Sequence, residues 1–159
     1  MKCEILTVGK IKERYFTDGI AEYIKRLTPV FPVTIKEVND KAVPEGAAEA
    51  IVAKAVEAEG EALLHYIDDD AFVVALAIQG TQLSSPQLAA KLNEWSNSGI
   101  RKLVFVIGGS WGLSPAVLKR ADFQLSFGKA TYPHQLMRLI LCEQIYRAIR
   151  INRNEPYHK

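Results

Sequence analysis

The most constraining feature of the chain is an apolar run, residues 103–107, that leads directly into a glycine-rich segment ending at Ser114. Five consecutive apolar residues bounded by turn residues are typical of a strand buried on both faces, as in parallel sheets covered by helices. Glycines after such a strand let backbone N–H groups approach a ligand at the carboxyl edge of the sheet. The segment therefore predicts an α/β fold with a ligand site. The alternative is an ordinary turn into a helix that Ser114 caps and Pro115 begins.

The spacing of these glycines argues against two common nucleotide sites. Gly108, Gly109 and Gly112 do not form the dinucleotide-binding pattern, and no acidic residue follows at the distance that would suit a ribose hydroxyl. No Gly-Lys-Ser/Thr sequence is present to build a phosphate loop. A small nucleotide-dependent oxidoreductase is one rival hypothesis for the chain, but both absences oppose it.

Composition indicates one globular domain spanning residues 1–159. The chain is 48% hydrophobic and 24% charged, and it contains no repeat or linker. Its apolar runs are too short to span a membrane and its start does not resemble a signal peptide, so we expect a cytoplasmic protein. Cys3 and Cys142 lie among apolar residues without a near partner, which predicts reduced core thiols. The three aspartates at residues 68–70 are typical of a turn, and we expect no metal site there.

Strands and helices alternate along the whole chain. Period-two or continuous apolar patterns predict strands at residues 2–10, 33–38, 72–76, 103–107 and 122–127. Helical periodicity and capping residues predict helices at residues 13–27, 44–66, 84–97, 115–120 and 134–151. Gly60 is expected to interrupt the second helix. The alternation predicts a mainly parallel sheet with helices on both faces.

The last predicted helix is apolar around most of its circumference. Its apolar residues are Leu136, Met137, Leu139, Ile140, Leu141, Cys142, Ile145, Tyr146 and Ile149. One face of a sheet cannot cover such a helix, and in a small domain a second copy of the chain is an economical second cover. The sequence therefore predicts a two-fold homodimer packed through this helix.

Three separated segments are expected at the carboxyl edge of the sheet, where they can close on one pocket: residues 76–80, 107–109 and 127–134. The end of the chain, residues 152–159, is rich in groups that donate protons, stack or contact phosphate. Basic residues are concentrated in the last stretch: Lys129, Arg138, Arg147, Arg150, Arg153 and Lys159. They form either a phosphate-binding surface or a solvated helix face.

Taken together, several short motifs resemble one family. These are residues 107–109, the 127–134 loop with Pro133 and His134, the Glu-Gln-Ile-Tyr-Arg-Ala run at residues 143–148, and the closing Pro-Tyr-His-Lys. In this order and spacing they resemble the RlmH-type ribosomal RNA methyltransferases of the SPOUT class, over essentially the whole chain. The resemblance implies a knotted α/β homodimer, with the C-terminal helix threaded through an earlier loop as a trefoil knot. It also implies S-adenosylmethionine as cofactor and methylation of N3 of a pseudouridine in 23S ribosomal RNA.

The resemblance implies a set of cofactor-binding residues: Leu76, Gly108, Phe127, Gly128, Lys129, Ala130, Thr131 and Tyr132. His158 is our candidate to accept a proton near neutral pH, and Tyr157 to orient or stack on the base. Arg150, Arg153 and Lys159 would hold ribosomal phosphates. Two positions depart from the family pattern: Ala77 replaces a frequent acidic residue, and Trp111 is bulky for its loop.

The other two histidines are not expected to take part in proton transfer. His134 is expected to shape the cofactor loop, and His65 to have no role in the site.

Because 159 residues leave no room for an added RNA-binding domain, we expect RNA recognition to combine both subunits or to depend on the shape of the ribosome. The alternative function is a non-catalytic ribosome-binding or RNA-binding dimer in which the basic surface acts alone.

Overall fold

The computed structural model describes all residues from Met1 to Lys159. Five strands and five helices alternate in the order β1 (Lys2–Val8), α1 (Arg14–Leu27), β2 (Val33–Val38), α2 (Glu49–His65), β3 (Phe72–Gln82), α3 (Ser85–Asn97), β4 (Lys102–Ile107), α4 (Pro115–Arg120), β5 (Phe123–Ser126) and α5 (His134–Asn152). None of the helices combines the length and apolar character that a bilayer crossing requires.

The strands form one five-stranded sheet in the order β2-β1-β4-β3-β5, and every neighbouring pair is parallel. Alternate residues of a strand face opposite sides. Ile5 of β1 and Phe105 of β4 accordingly join a core on one face, while Leu6 and Val104 join a core on the other. Both faces of the central strands are buried, and the predicted parallel α/β sheet is confirmed.

The helices divide between these two cores. Helices α1, α3 and α5 supply the larger core, whereas α2 and α4 cover the opposite face. Helix α5 packs against both α1 and α3 as well as β4. Leu139 of α5, for example, lies against Gly19 of α1. Elements of the same chain therefore cover more of the circumference of α5 than the sequence predicts.

Strand β3 is longer than predicted, and the reason is an irregular pairing. Leu76 and Thr81 both pair with Leu125 of β5, so residues 77–80 bulge out of the ladder before pairing resumes. Residues 79–82 are three polar residues and a glycine, which hide this continuation from a pattern of alternation. Helix α2 begins at Glu49 and not at residue 44, because residues 44–47 form a turn closed by a hydrogen bond from Ala47 N to Pro44 O.

The expectation that Gly60 interrupts the second helix was wrong. Helix α2 runs unbroken through Gly60, which instead gives α4 room to approach. A Cβ atom at residue 60 would lie 2.1 Å from Oγ of Ser114, whose hydroxyl accepts a hydrogen bond from Val117 N and caps α4. The glycine serves helix packing rather than helix termination.

Both cysteines are free and buried, as predicted. Burial raises the pKa of Cys142 to about 12 and the pKa of Cys3 further still. The thiolate form that oxidants and metals require is therefore suppressed in both.

Candidate functional site

A cavity of about 920 Å³ lies beside the bulge of β3 and at the carboxyl ends of β4 and β5. Its walls come from three parts of the chain that are distant in sequence: residues 76–79, residues 107–113 and residues 127–135. The second and third parts begin at the ends of β4 and β5, and the first is the bulge of β3, which lies between these two strands in the sheet. The three segments that the sequence placed at one edge do line one cavity.

A tight turn after β4 forms one wall. Gly112 N donates a hydrogen bond to Gly109 O at 3.1 Å, and Gly112 has a φ of 82°, which favours glycine. The turn folds back onto the strand end, so that a Cβ atom at Gly108 would lie 2.6 Å from the carbonyl carbon and oxygen of Gly112. Only glycine fits at residue 108.

A buried carboxylate supports this turn from behind. Glu59 of α2 accepts a hydrogen bond from Lys41 N at 2.9 Å, and its carboxylate oxygens lie close to Gly109. Burial raises the pKa of Glu59 above its ordinary value. The sequence carried no signal for this residue, because a glutamate on a charged helix is usually solvated.

The loop after β5 forms the opposite wall. Ser126 Oγ donates to Ile78 O at 2.8 Å and accepts from Gly128 N at 3.1 Å, which ties the loop to the bulge of β3. Gly128 has a φ of 110°, a conformation that side chains rarely adopt. The buried Ser126 hydroxyl thus holds two of the three segments in fixed positions.

Seven of the eight residues expected to bind the cofactor line this cavity: Leu76, Gly108, Phe127, Gly128, Ala130, Thr131 and Tyr132. Lys129 does not; it is exposed on the same loop, between two lining residues. The sequence does not predict several other residues that line the cavity, notably Leu118, Leu125 and Met137. Their apolar side chains give no sequence signal that separates a cavity wall from an ordinary core.

The cavity carries little positive charge. No lysine, arginine, aspartate or glutamate lines it, and its one imidazole belongs to His134. Burial, and after it the nearby Arg138 guanidinium, lower the pKa of His134, although Asp40 and Glu13 act in the opposite direction. A neutral His134 leaves the cavity suited to a ligand that bears a positive charge and no phosphate.

Tyr157 and His158 lie outside this cavity in the protomer. Tyr157 Oη donates to Glu143 Oε1 at 3.1 Å, and its ring packs against Tyr146 with centroids 4.9 Å apart. Burial, followed by hydrogen bonds with Tyr23 and Glu143, raises the pKa of Tyr157. The phenol is therefore protonated near neutral pH, which suits orientation or stacking and not proton abstraction.

His158 is exposed, and its ring touches one cation. His158 Nδ1 lies 3.3 Å from Arg147 Nη1. Because a guanidinium can only donate, Nδ1 accepts in this contact and Nε2 carries the proton of the neutral ring. Arg147 is itself held by Glu143 and lies over the Tyr157 ring at 4.7 Å. The end of the chain is therefore anchored to α5.

The three residues expected to contact phosphate differ in their surroundings. Arg150 and Arg153 both form ion pairs with Glu155, with shortest N–O distances of 2.7 Å and 2.9 Å. Arg150 also donates to Pro156 O. Lys159 is exposed and forms no ion pair. Phosphate binding by either arginine would have to compete with Glu155.

Arg138 does not belong to the basic surface that the sequence suggested. Its side chain is 3% exposed and forms an ion pair with Glu37 at 2.9 Å. It also donates to Thr7 Oγ1 and Gly9 O. Its charge joins α5 to the ends of β1 and β2 and cannot reach a phosphate.

No group of three or more histidine, cysteine, aspartate or glutamate side chains is arranged to hold a metal ion. In the aspartate turn, Asp68 instead pairs with Lys102 at 2.9 Å. Arg120 donates to the turn's backbone at Asp68 O and Ala71 O. The turn is a structural feature at the start of β3.

Comparisons with known proteins agree with this fold. A family model described as a predicted SPOUT methyltransferase matches residues 1–158. Relatives named ribosomal RNA large subunit methyltransferase H occur in Bifidobacterium animalis subsp. lactis and Carboxydothermus hydrogenoformans (each 55% identical) and Listeria welshimeri (54% identical). Each of these matches covers 100% of both chains.

A solved structure shares the fold at low sequence identity. It is described as a probable methylase family protein from Haemophilus influenzae Rd KW20. The TM-score is 0.55 at 16% identity, over 99% of this chain and 70% of that one. The family match and the full-length relatives confirm the resemblance found in the sequence. The chain belongs to the SPOUT methyltransferase family and, within it, to the ribosomal RNA large subunit methyltransferases H.

Proposed function

We propose that this methyltransferase uses S-adenosylmethionine to methylate N3 of a pseudouridine in 23S ribosomal RNA, on the assembled ribosome. The full-length relatives are named as methyltransferases of large-subunit ribosomal RNA, which supports the RNA class. The observation that carries the choice of cofactor is the cavity at the carboxyl edge, with its glycine backbone, apolar walls and lack of cationic side chains.

The residues of the cavity fit this cofactor. S-adenosylmethionine, when bound, supplies an electrophilic methyl group on a positively charged sulfur; it contains adenine and no phosphate. Apolar side chains such as Leu76 and Phe127 suit the adenine, and the glycine turn brings backbone groups close to it. With His134 neutral and Lys129 outside, no fixed cation opposes the sulfonium.

We assign the residues at the end of the chain to the RNA base that accepts the methyl group. N3 of the base carries a proton that must leave as the bond from nitrogen to methyl forms, and we assign its acceptance to Nδ1 of His158, which must first leave its contact with Arg147. Tyr157, held by Glu143 and Tyr146, is assigned to orient the base. Because these residues lie outside the cavity of their own protomer, a second subunit is proposed to bring them to it.

The proposed function is tested by incubating purified protein with S-adenosylmethionine labelled at the methyl group. We expect label to enter 23S RNA on intact ribosomes, at one pseudouridine located by mapping, and poor labelling of a naked RNA fragment. Equal labelling of both substrates would contradict recognition of the assembly. Titration calorimetry distinguishes the methyltransferase from the alternative, a non-catalytic binding dimer. Such a dimer would show no heat of binding with S-adenosylmethionine.

The proposed role of His158 predicts a large loss of rate. His158→Ala is expected to lower the single-turnover rate on ribosomes by about 100-fold, because a positioned general base contributes roughly that factor or more. His65→Ala is the control, since His65 is exposed on α2 and distant from the site. An undiminished rate for His158→Ala would mean that solvent takes the proton.

The proposed homodimer predicts a mass in solution. Sedimentation equilibrium is expected to give twice the chain mass of 17.7 kDa at micromolar concentration. Leu136, Ile140 and Ile149 support the proposal because they remain only partly buried on α5 in the single chain. A monomer mass that does not change with concentration would refute the dimer.

We also propose the trefoil knot that the family implies, and a cytoplasmic location alongside the ribosome. The contacts of β5 with the bulge support the knot: Ser126 Oγ bonds Ile78 O, and Gly80 lies against the backbone of Gln124. Strand β5, which precedes α5 in the chain, therefore contacts the bulge of β3 directly. An experimentally traced path with α5 outside that loop would contradict the knot.

A further inference from the structure

The mouth of the cavity is bordered by exposed apolar side chains. Eight large hydrophobic side chains are exposed in the whole chain, and three of them line this one cavity: Ile78 at 51%, Trp111 at 57% and Tyr132 at 37%. Exposed apolar surface that gathers around a cavity marks a binding surface. S-adenosylmethionine would lie inside, so this rim needs a different ligand.

A tight backbone turn carries Trp111 at this position. The residue occupies the tip of the turn between Gly109 and Gly112, which the hydrogen bond from Gly112 N to Gly109 O closes. The turn cannot move towards the strand, because Gly108 already touches the backbone of Gly112. Because the backbone of this turn is already ordered, a ligand that stacks on Trp111 need not order it.

The loop on one side of this rim also carries a lysine. Lys129 is exposed on the loop that carries Gly128, Ala130 and Tyr132, and it does not enter the cavity. Aromatic rings next to a lysine form the combination that binds unpaired nucleotides, in which the rings stack on bases and the cation contacts phosphate. The interior of an interface between protein chains, by contrast, is usually depleted of lysine.

We propose that Trp111, with Tyr132 and Lys129, forms a nucleotide-binding platform at the cavity mouth, on which an unpaired base of the RNA substrate stacks. The platform deepens the proposed function and rests on it, because the acceptor base must pass this mouth to reach the methyl group. It assigns Lys129 to RNA phosphate and not to the cofactor, and it gives the bulky Trp111 a role in substrate binding.

Steady-state kinetics on ribosomes test the platform. Trp111→Ala is expected to raise KM for ribosomes at least fivefold, since stacking of one base contributes about that factor or more, while Trp111→Phe recovers most of the loss. Lys129→Ala is expected to raise KM and to weaken its dependence on salt. Tyr66→Ala is the matched control, because Tyr66 is 39% exposed at the end of α2, beside the amino edge of the sheet.

Fluorescence gives a readout independent of catalysis. The chain has two tryptophans, and Trp95 is buried in the core, so quenching by an added uridine-rich RNA oligonucleotide reports on Trp111. We expect quenching in the wild-type protein and none in Trp111→Phe. An inactive wild-type protein would overturn the proposed function itself, whatever the quenching shows.

Three outcomes would overturn the platform while the proposed function stands. The first is an unchanged KM for Trp111→Ala together with absent quenching in the wild-type protein. The second is a loss of S-adenosylmethionine affinity in Trp111→Ala, measured by calorimetry, which would place Trp111 in cofactor binding. The third is a changed sedimentation mass of Trp111→Ala, which would place the rim in an interface between two copies of the chain.

Discussion

Gly108→Ala is expected to weaken S-adenosylmethionine binding by about 100-fold or more, or roughly 2.7 kcal/mol. The added Cβ atom would lie 2.6 Å from the carbonyl group of Gly112 and 3.0 Å from Leu113 N. All of these are backbone atoms, which cannot rotate away, so the turn must lift off the end of β4. Titration calorimetry with the purified variant measures the loss.

The neighbouring glycine provides the matched control. A Cβ atom at Gly109 would meet Val8 Cγ1 at 3.1 Å and the Glu59 carboxylate at 3.4 Å, both of which are side chains that can shift. Gly109→Ala is therefore expected to lose much less affinity for S-adenosylmethionine than Gly108→Ala. Equal affinity of the wild type and Gly108→Ala would show that the glycine turn does not contact the cofactor.

Gly60→Ala is expected to lower the free energy of unfolding by about 3 kcal/mol. Helix propensity alone predicts the opposite sign, because alanine is favoured over glycine in a helix interior by roughly 1 kcal/mol. The new Cβ atom would lie 2.1 Å from Ser114 Oγ and 2.8 Å from Ser114 Cβ, so rotating the hydroxyl away does not remove the clash. Denaturant unfolding at a fixed protein concentration measures the change.

A second substitution tests the cause. Ser114→Gly removes both clashing atoms and by itself should cost roughly 0.5 kcal/mol, because glycine is a tolerable N-cap. The double variant is expected to recover most of the loss, since the next nearest atom is Val117 Cγ2 at 3.4 Å. Additive losses in the double variant would contradict the proposed clash.

Another helix glycine supplies the comparison for Gly60. At Gly19 in α1, a Cβ atom would meet only the methyl groups of Leu139, at 3.1 Å and 3.3 Å. Gly19→Ala is expected to change the free energy of unfolding by less than about 1 kcal/mol, because the gain in propensity offsets a small shift of a flexible side chain. A loss there as large as at Gly60 would point to a general intolerance of alanine in these helices.

Much of the fold was predictable because its signals are local. The buried strand at residues 103–107, the alternation of strands with helices, and the capping serines at residues 84 and 114 each depend on a few neighbouring residues. Parallel strands then direct their carboxyl ends to one edge, so the meeting of the three cavity segments followed from the order of elements.

The errors share a different origin. The sequence predicts a helix break at Gly60 and places Arg138 on a basic surface, and the structure contradicts both. Arg138 is buried because Glu37, 101 residues earlier, meets its guanidinium across the fold. Nothing within a window of neighbouring residues distinguishes a buried arginine from a solvated one.

The sequence by itself determined the layered parallel α/β architecture, the position of its glycine turn and the family to which the chain belongs. The tertiary structure alone decided which side chains the site exposes or buries: the outward Trp111 and Lys129, the buried Glu59 and Arg138, and the anchored Tyr157. The physical reason is range. Backbone periodicity and capping act between residues a few positions apart, whereas burial, close packing and ion pairing depend on which distant segments the completed sheet brings into contact.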